Sequence, residues 1–244
     1  MKFFRSVSIL CVASGLWVLG CGVQKPFFPV HAETRTQLEI TLAGLDAASA
    51  KFKNAAAGFQ WQNYERVVRD TTIQNGTIYF ERDGKSVQMG AVVSYADSKA
   101  KPEIIEYKGG VLRMYVPADS QITLLKAGSN QAQYEGFLTL GFGGSGKDLA
   151  AVWNITDMGS ENLPDGGKQV KTEKLDLVAK DPAARNTFTH VTIWVDPVRG
   201  VSLKQVFYAP SGDTRTSIFS NIKLNGSVDH GPYKLPTNVP TVTH

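Results

Sequence analysis

Hydrophobic residues recur at intervals of three or four positions in one long stretch of the chain. This spacing predicts an amphipathic helix, with strong helix formers such as Ala43 and Ala47 in between. Thr34 or Thr36 can cap its start. The apolar stripe is narrow, so we expect one side of the helix to lie against another element. The positions that define the stripe are Leu38, Leu42, Leu45, Ser49 and Phe52.

From Phe59 onward the period changes to two, which is typical of β-strands. A short second helix is predicted over Lys147 to Trp153, in the middle of this region. In the last third, the turns 196–200 and 209–213 are so short that the strands they join must be antiparallel neighbours. The predicted strands cover residues 76–82, 87–95, 103–107, 111–116, 122–125, 188–195, 201–208 and 214–224.

These elements predict a single α+β domain with a curled antiparallel sheet, or incomplete β-barrel. One face of such a sheet can enclose an apolar cavity. We expect residues 236–244 to form a disordered tail.

The first twenty residues have the order of a secretory signal: Lys2 and Arg5, an uncharged apolar run from Val7 to Leu19, and then small residues. A retained membrane anchor over Ser6 to Val23 is the alternative. Two cleavage points compete. One precedes Cys21, which would be lipidated, and the other follows Ala32.

The composition removes several classes of function. Both cysteines, Cys11 and Cys21, fall in the leader, so the exported domain has no disulfide, thiol nucleophile or cysteine metal site. The formal net charge is only +4, and no basic stripe favours nucleic acid. The four histidines have no metal-binding spacing. We therefore predict neither a metal nor another cofactor.

One segment is similar to a phosphate-binding loop. Residues 141–147 fit the pattern G-x-x-x-x-G-K before a helix, but Asp148 stands where a hydroxyl would bind magnesium. We interpret the segment as a flexible glycine loop. No nucleophile elbow G-x-S-x-G is present, and we predict that the protein is not an enzyme; a hydrolase with an unrecognised site remains an alternative.

Aromatic and methionine residues occur on nearly every predicted strand. Most of them are expected to form the core, and the sequence does not separate these from residues that line a cavity. The candidates for a lipid-binding cavity are Trp61, Phe80, Met89, Tyr107, Met114, Phe137, Phe142, Trp153, Trp194 and Phe207.

The chain resembles the periplasmic lipoprotein carriers of the LolA type and their membrane-anchored LolB-like relatives. The similarity extends over roughly 36–224. The residues that carry it are the first helix running into Phe59-Gln60-Trp61, and the segments 76–82, 107–117, 192–197, 207–213 and 219–222.

The resemblance implies an incomplete barrel with a helical lid and an apolar cavity for the acyl chains of lipoproteins. It also implies an arginine at the cavity mouth, for which Arg82 is the nearest candidate, although the usual Lys-Arg-Pro context is Glu81-Arg82-Asp83 here. The lid would hinge at Gly141, Gly143, Gly144 and Gly146. The domains would be a signal peptide (1–20), a lipidated or flexible spacer (21–33), a LolA-like lipoprotein-carrier domain (34–235) and the tail (236–244).

The function expected from this resemblance is the binding of acyl chains of lipoproteins, for sorting or transfer to the outer membrane. The partners would be lipoproteins, with an inner-membrane release complex or an outer-membrane receptor, and the protein would be a periplasmic monomer. A lipidated Cys21 would tether it to a membrane. The alternative is an envelope stress sensor or scaffold that uses the same fold to bind a lipidated or protein partner.

Overall fold

The computed structural model describes residues 35–84, 86–96, 98–128, 136–137 and 140–243.

The first helix, α1, begins where a capping box forms. The helix α1 spans Gln37–Ser49. The Thr36 hydroxyl accepts a hydrogen bond from the Glu39 amide at 3.2 Å, and the Glu39 carboxylate accepts one from the Thr36 amide at 2.7 Å. Of the two predicted caps, Thr36 is therefore the one observed. The helix ends three residues before Phe52.

The rest of the described chain is mainly β-structure. A second helix, α2, spans Gly146–Val152, and 3₁₀ turns occur at Ala184–Asn186 and Gly231–Tyr233. The strands are β1 Asn54–Glu65, β2 Asp70–Asp83, β3 Ser86–Tyr95, β4 Glu103–Lys108, β5 Val111–Val116, β6 Gln121–Lys126, β7 Trp153–Asp165, β8 Lys168–Ala179, β9 His190–Asp196, β10 Val201–Tyr208, β11 Thr214–Leu224 and β12 Thr241–Thr243.

All twelve strands belong to one sheet, in the order β12-β6-β5-β4-β3-β2-β1-β11-β10-β9-β8-β7. Every pair is antiparallel except β12 and β6, which are parallel. The predicted hairpin of β4 and β5 is confirmed, with Glu106 opposite Arg113. The predicted antiparallel order of the last third is also confirmed in β9, β10 and β11.

The sheet curls without closing. Near the end of β7, the Asp165 carboxylate accepts a hydrogen bond from the amide of Ile222 on β11 at 3.3 Å, although β11 is four positions away in the sheet. The sheet still has two different ends, β12 and β7. The prediction of a curled antiparallel sheet in an α+β domain is confirmed at this level.

The core lies on the inner face of this curl and has two parts. One part centres on β1 to β3 and includes Phe52, Phe59, Ile78, Phe80, Met89, Phe142 and Phe219. The other centres on β8 and β9, where α1 adds Leu45 and β8 and β9 add Leu175, Leu177, Val191 and Ile193. The helix α1 thus covers one half of the inner face with its apolar stripe.

Two parts of the structure differ from the sequence predictions. The long hairpin of β7 and β8 is not among the predicted strands, because most residues of β7 are exposed and polar and give no alternating pattern. The second difference concerns residues 236–244, for which a disordered tail is predicted. In the structure, Thr241–Thr243 pair with β6. The pairing satisfies backbone groups of an edge strand. The predicted signal peptide and spacer lie outside the described residues.

None of the helices among the described residues is long and apolar enough to span a membrane.

Candidate functional site

Arg82, at the end of β2, joins three separate parts of the chain. Its Nη2 donates to the carbonyl oxygen of Gly143 at 2.9 Å and to that of Ser49 at 3.3 Å. Its Nε donates to the carbonyl oxygen of Phe52 at 3.2 Å. Ser49 is the last residue of α1, where the helix dipole favours a cation. We call this set of contacts the Arg82 clasp.

The Arg82 clasp also holds the glycine loop, which we define as residues 140–145. The Ser49 hydroxyl donates to the Gly143 carbonyl at 2.7 Å, so this carbonyl accepts from both Ser49 and Arg82. Gly143 itself is buried. The end of α1 and the glycine loop are therefore attached to each other and, through one exposed arginine, to β2. The glycine loop is also bound to β10, where the Ser202 amide donates to the Gly141 carbonyl at 2.8 Å and Phe142 forms a β-bridge with Val201.

Aromatic rings lie directly beneath the clasp. The Phe142 ring stacks on Phe80 with centroids 4.4 Å apart and meets Phe219 edge-on at 4.8 Å. Phe52 lies below the Arg82 guanidinium, 5.8 Å from its ring centroid. The glycine loop therefore inserts an anchor, Phe142, into the core of the sheet.

Two glycines permit this close approach. Gly143 has φ +82°, and a Cβ there would lie 2.5 Å from Phe52. Gly141 has φ +79°, and a Cβ there would lie 2.1 Å from Ser202 on β10. Both positions combine a left-handed backbone with a lack of space, so only glycine fits them.

The helix α2 follows the glycine loop and packs on α1. Ser145 caps α2 by accepting from the Asp148 amide at 3.0 Å, and the Lys147 amide donates to Asp46 of α1 at 3.0 Å. This accounts for Asp148, the residue that departs from the phosphate-loop pattern: it also accepts from the Ser145 hydroxyl at 2.6 Å. The segment forms a helix cap rather than a phosphate cradle.

A cavity of about 180 Å³ lies between α1, the glycine loop, α2 and the sheet. Its lining is mainly apolar, with Leu45, Leu140, Leu149, Trp153, Ile193 and Val195. This volume is below the roughly 300–1,000 Å³ of ordinary ligand sites. In the conformation described, it does not hold a long chain.

The inner face continues beyond the packed core toward β4 to β6. There Ile105, Leu112 and Met114 are only half-buried, and Leu125 is 38% exposed. Trp61 and two residues of the β7–β8 hairpin, Leu163 and Val170, are half-buried too and pack against the β1–β3 part of the core. We call this set of residues the inner trough.

Nine of the ten predicted cavity residues fall into three groups. Five of them are buried in the core: Phe80, Met89, Tyr107, Phe142 and Trp153. Two lie in the inner trough, Trp61 and Met114. Phe137 and Phe207 are half-buried and lie close together with ring centroids 6.2 Å apart.

The last predicted cavity residue, Trp194, points to the outer face. Its neighbours in the strand, Ile193 and Val195, belong to the inner core, and alternation places Trp194 opposite to them. Lys174 and Lys204 lie over its ring at 5.0 and 4.5 Å, and its Nε1 donates to Glu161 at 2.6 Å. Trp194 therefore does not line the inner face.

A second arginine, Arg199, connects the tip of the β7–β8 hairpin to the turn between β9 and β10. It donates to Asp196 at 2.6 Å and to Asp165 at 2.7 Å, and the two carboxylate side chains are only 9% and 6% exposed. Burial opposes the charge of Arg199, but the hydrogen bonds to Asp196 and Asp165 outweigh it and raise its pKa. We call these contacts the Arg199 clasp.

In the described part of the chain, no three histidine, cysteine, aspartate or glutamate residues are grouped so that they could hold a metal ion. His190 stacks on Tyr208 with ring centroids 4.1 Å apart, and His230 lies 3.0 Å from Glu81. Both histidines thus have ordinary side-chain partners.

No protein-family model and no curated protein matches this chain. The fold occurs among solved structures. An uncharacterized conserved protein from Thermus thermophilus matches with a TM-score of 0.51 at 10% identity, over 86% of this chain and 100% of that one. This chain shares the fold of that protein.

Two further matches have lower TM-scores. A LolA superfamily protein from Nitrosomonas europaea matches with a TM-score of 0.36 at 13% identity, over 80% of this chain and 96% of that one. The Pseudomonas aeruginosa MucA/MucB complex matches with 0.46 at 11% identity, over 82% of this chain and 62% of that one. LolA superfamily structures are thus found among the matches, as the resemblance indicates. The likeness concerns the fold alone, so function must be inferred from this chain's own residues.

Sequence reasoning identified Arg82 and the glycine loop but missed their partners. Ser49 and Phe52 are counted only as positions of the helical stripe, and the spacing does not show that their carbonyl groups turn toward β2. Arg199 and Asp165 are also missed. The Asp-Pro-Val-Arg-Gly turn at 196–200 is a signal for Arg199. Nothing in the sequence pairs Arg199 with Asp165.

Proposed function

We propose that this protein handles lipid anchors in the bacterial envelope by binding the acyl chains of lipoproteins on the inner face of its sheet. In this proposal α1, the glycine loop and α2 form a lid, and the apolar cavity opens when the lid moves. The protein performs no chemical step on its cargo.

The Arg82 clasp is the observation that carries this proposal. All three residues that Arg82 contacts accept through main-chain carbonyls, and the arginine is exposed to solvent. Hydrogen bonds of this kind contribute modestly, because water replaces them when they break. They can hold a lid closed and still release it, as reversible binding of a cargo requires.

The size of the closed cavity supports a moving lid. A volume of about 180 Å³ is too small for an acyl chain, whereas the residues that surround it are apolar. If α2 and the glycine loop move away, the cavity and the inner core beneath Phe142 become accessible. The inner trough, from Trp61 to Leu125, then extends the apolar surface toward β6.

The energetics suit this role. Each methylene that leaves water contributes about 0.8 kcal/mol. A dozen buried methylenes would contribute roughly 10 kcal/mol, from which the cost of opening the lid must be subtracted. The Arg82 clasp would thus set how tightly a chain is held.

The first test is native mass spectrometry of protein purified without detergent, followed by binding of a fluorescent fatty acid. We expect co-purified diacyl or triacyl species and saturable fatty-acid binding. Arg82→Leu should slow release of the bound probe about tenfold, because the clasp forms only in the closed, empty conformation and its loss lowers the cost of keeping the lid open. Release is measured by stopped-flow displacement with unlabelled fatty acid.

Arg113→Leu is the matched control, since Arg113 lies on the outer face of β5 and pairs with Glu106 at 3.1 Å, away from the lid. Release from this variant should equal that of the wild type. Absence of both co-purified lipid and fatty-acid binding would refute the function. Equal release rates for the Arg82 variant and the wild type would remove Arg82 from the site.

The domain boundaries and the location belong to the same proposal. We infer that residues 1–20 are a signal peptide, that Cys21 is lipidated, and that the carrier domain works in the periplasm, tethered through Cys21 and the spacer 21–33. Labelling cells with a radioactive fatty acid tests this: the wild type should incorporate label, and Cys21→Ser should not. Label in the Cys21→Ser protein would contradict the assignment.

A second candidate function is the binding of a protein partner, as a sensor or scaffold. The strand β7 favours it, because β7 lies at the end of the sheet and carries the exposed Met158. An edge strand of 13 residues can pair with a strand from another chain. If no lipid binds, pull-down of a partner that is lost on substitution of the exposed Met158 by aspartate would support this alternative.

A further inference from the structure

The chain that follows β11 crosses the outer face of the sheet before it ends in β12. His230 and Tyr233 each place a ring edge-on against Tyr79 of β2, with centroids 4.8 Å apart in both cases. The segment then pairs with β6 through Thr241–Thr243. We call residues 225–243 the C-terminal strap.

A half-open pocket of about 310 Å³ lies between the strap and strands β2 to β4. This volume falls within the range of small-molecule sites. The pocket is on the face opposite to the proposed lipid cavity, since Tyr79 alternates with the core residues Ile78 and Phe80. Its lining consists of Tyr79, Glu81, Gln88, Glu106, Tyr107, Lys108, His230, Tyr233 and Lys234.

Tyr79 gives the clearest sign of a ligand. The residue is only 6% exposed, yet its hydroxyl has no hydrogen-bond partner within the described part of the chain. The ring is buried, but the hydroxyl oxygen itself reaches the surface of the pocket, so its hydrogen-bonding capacity faces the pocket. In this pocket the hydroxyl is available to a bound group.

Two carboxylates leave acceptors available beside this hydroxyl. Glu81 uses Oε2 for Gln88 at 2.8 Å and His230 at 3.0 Å, and Glu106 uses Oε2 for Arg113 at 3.1 Å. Among the described residues, the Oε1 atoms of Glu81 and Glu106 accept no hydrogen bond. The pocket thus offers three free acceptors, which equals the number of N–H donors of a primary ammonium group.

The electrostatic environment of Tyr79 also favours a bound cation. Burial first, and then the charges of Glu106, Glu81 and Tyr233, raise the pKa of Tyr79 to about 12. The Tyr79 ring lies over Gly90 of β3, and Glu106 is the β4 residue opposite Gly90, so the ring extends toward the Glu106 carboxylate. A negative potential at this point stabilises a cation.

Positive charge is present at the rim instead. Lys108 and Lys234 both line the pocket and are both exposed. Neither makes an ion pair with a carboxylate of the described residues. An anionic group that projects outward from the pocket would therefore meet two unpaired ammonium groups.

We propose that this pocket binds a small zwitterion in which a primary ammonium is joined to a short anionic group, as in a phosphoethanolamine group. The ammonium donates to Glu81, Glu106 and the Tyr79 hydroxyl, and the anion lies between Lys108 and Lys234. Such a group can come from a lipid headgroup or from a free aminophosphate. Because the strap forms one wall, the bound group would also fasten the strap to the sheet.

The test is calorimetric titration of the full-length protein with O-phosphoethanolamine, phosphocholine and ethanolamine. We expect saturable binding of phosphoethanolamine with a Kd below about 1 mM. Phosphocholine, whose quaternary ammonium has no N–H donor, should bind at least about tenfold more weakly because hydrogen bonds to charged groups are lost. Ethanolamine should also bind more weakly, since it lacks the anion. Equal binding of phosphocholine, or no saturable binding of phosphoethanolamine, overturns the proposal.

Variants test the residues. Tyr79→Phe and Glu106→Gln should each weaken phosphoethanolamine binding about tenfold. Glu103→Gln is the matched control, since Glu103 lies on the same strand as Glu106 but does not line the pocket; its affinity should be unchanged. If Tyr79→Phe does not fold, Glu106→Gln decides. Unchanged affinity in Glu106→Gln overturns the assignment.

Co-sedimentation with vesicles distinguishes the two sources. Phosphatidylethanolamine mixed into phosphatidylcholine vesicles should recruit the wild type but not Tyr79→Phe if the source is a lipid headgroup. Binding of free phosphoethanolamine without recruitment to the vesicles assigns the pocket to a free aminophosphate. Since acyl binding concerns the inner face, this site and the proposed function can fail independently.

Discussion

Arg82 and Arg199 stabilise two different regions of this structure, the helices with the glycine loop and the β7–β8 hairpin. They do so with different chemistry. Arg82 is exposed and binds the main-chain carbonyls of Ser49 at the end of α1, of Phe52, and of Gly143 in the glycine loop. Arg199 is partly buried and binds two carboxylates that are almost fully buried. One clasp connects helices to the sheet, and the other connects the β7–β8 hairpin to a turn of the same sheet.

The difference indicates which side can open. If the Arg82 clasp breaks, water can solvate the arginine and the carbonyls, so the clasp itself adds little to the cost of opening. The larger part of that cost is the separation of Phe142 and the Gly141 carbonyl from β10 and the core. If the Arg199 clasp breaks, the buried carboxylates of Asp165 and Asp196 lose their counter-charge, which is costly. We therefore expect the proposed lid to open in function and the hairpin side to stay in place.

The largest effect should come from the Arg199 clasp. Arg199→Met keeps much of the side-chain volume but leaves Asp165 and Asp196 without a cation. We expect a loss of about 3–5 kcal/mol in the free energy of unfolding, the usual cost of removing one partner of a buried ion pair. Urea denaturation followed by tryptophan fluorescence measures it.

Arg113→Met is the control for this measurement. Its ion pair with Glu106 joins side chains that are 34% and 32% exposed, so the loss should stay below about 1 kcal/mol. A similar loss for both variants would mean that the Arg199 clasp is no stronger than a surface pair, and the contrast between the two sides would fail.

A smaller effect is expected in the glycine loop. Gly143→Ala adds a Cβ at 2.5 Å from the Phe52 ring, at a φ of +82°. Gly84→Ala, at the tip of the β2–β3 hairpin, has φ +61° and nothing within 4 Å of the new Cβ. Both variants carry a left-handed strain of about 1–2 kcal/mol, and only Gly143→Ala adds crowding, so we expect it to be less stable by about 2 kcal/mol more.

Thermal unfolding of the two alanine variants provides the comparison. A pair of equal midpoints would show that Phe52 moves aside without cost, and thus that the glycine loop is not tightly fitted on the core. In that case the loop would open more easily than the contacts around Phe142 indicate.

Much of the sheet is visible in the sequence because its residues alternate or its turns are short. The ranges of β10 and β11 and the hairpin of β4 and β5 follow from these signals. The glycine loop is visible through its phosphate-loop pattern and Arg82 through the family resemblance, and the structure brings them into contact.

The rest depends on contacts that no local pattern encodes. In β9, six consecutive residues are buried. The sequence of this strand therefore has no alternation of apolar and polar residues that would show that Trp194 points outward while Ile193 points inward. The strand β7 is polar because one side of it faces solvent, and β12 is only three residues long. The Asp165–Arg199 pair joins residues 34 positions apart, which becomes visible only after the sheet has curled.

The smallest effect concerns the way in which the two donors of the Arg82 clasp share one carbonyl. Ser49→Ala removes a hydrogen bond to Gly143 and should cost about 1 kcal/mol, because Arg82 still satisfies that carbonyl. Combined with Arg82→Leu, it leaves the buried Gly143 carbonyl without a donor among the described residues, so the double variant should lose about 0.5–1 kcal/mol more than the sum of the single variants. Ser49→Ala and Arg199→Met share no partner and should be additive within about 0.5 kcal/mol. Urea denaturation of the single and double variants measures both couplings, and coupling of Ser49 to Arg199 as strong as that to Arg82 would show that the two clasps act as one unit and that the lid does not open alone.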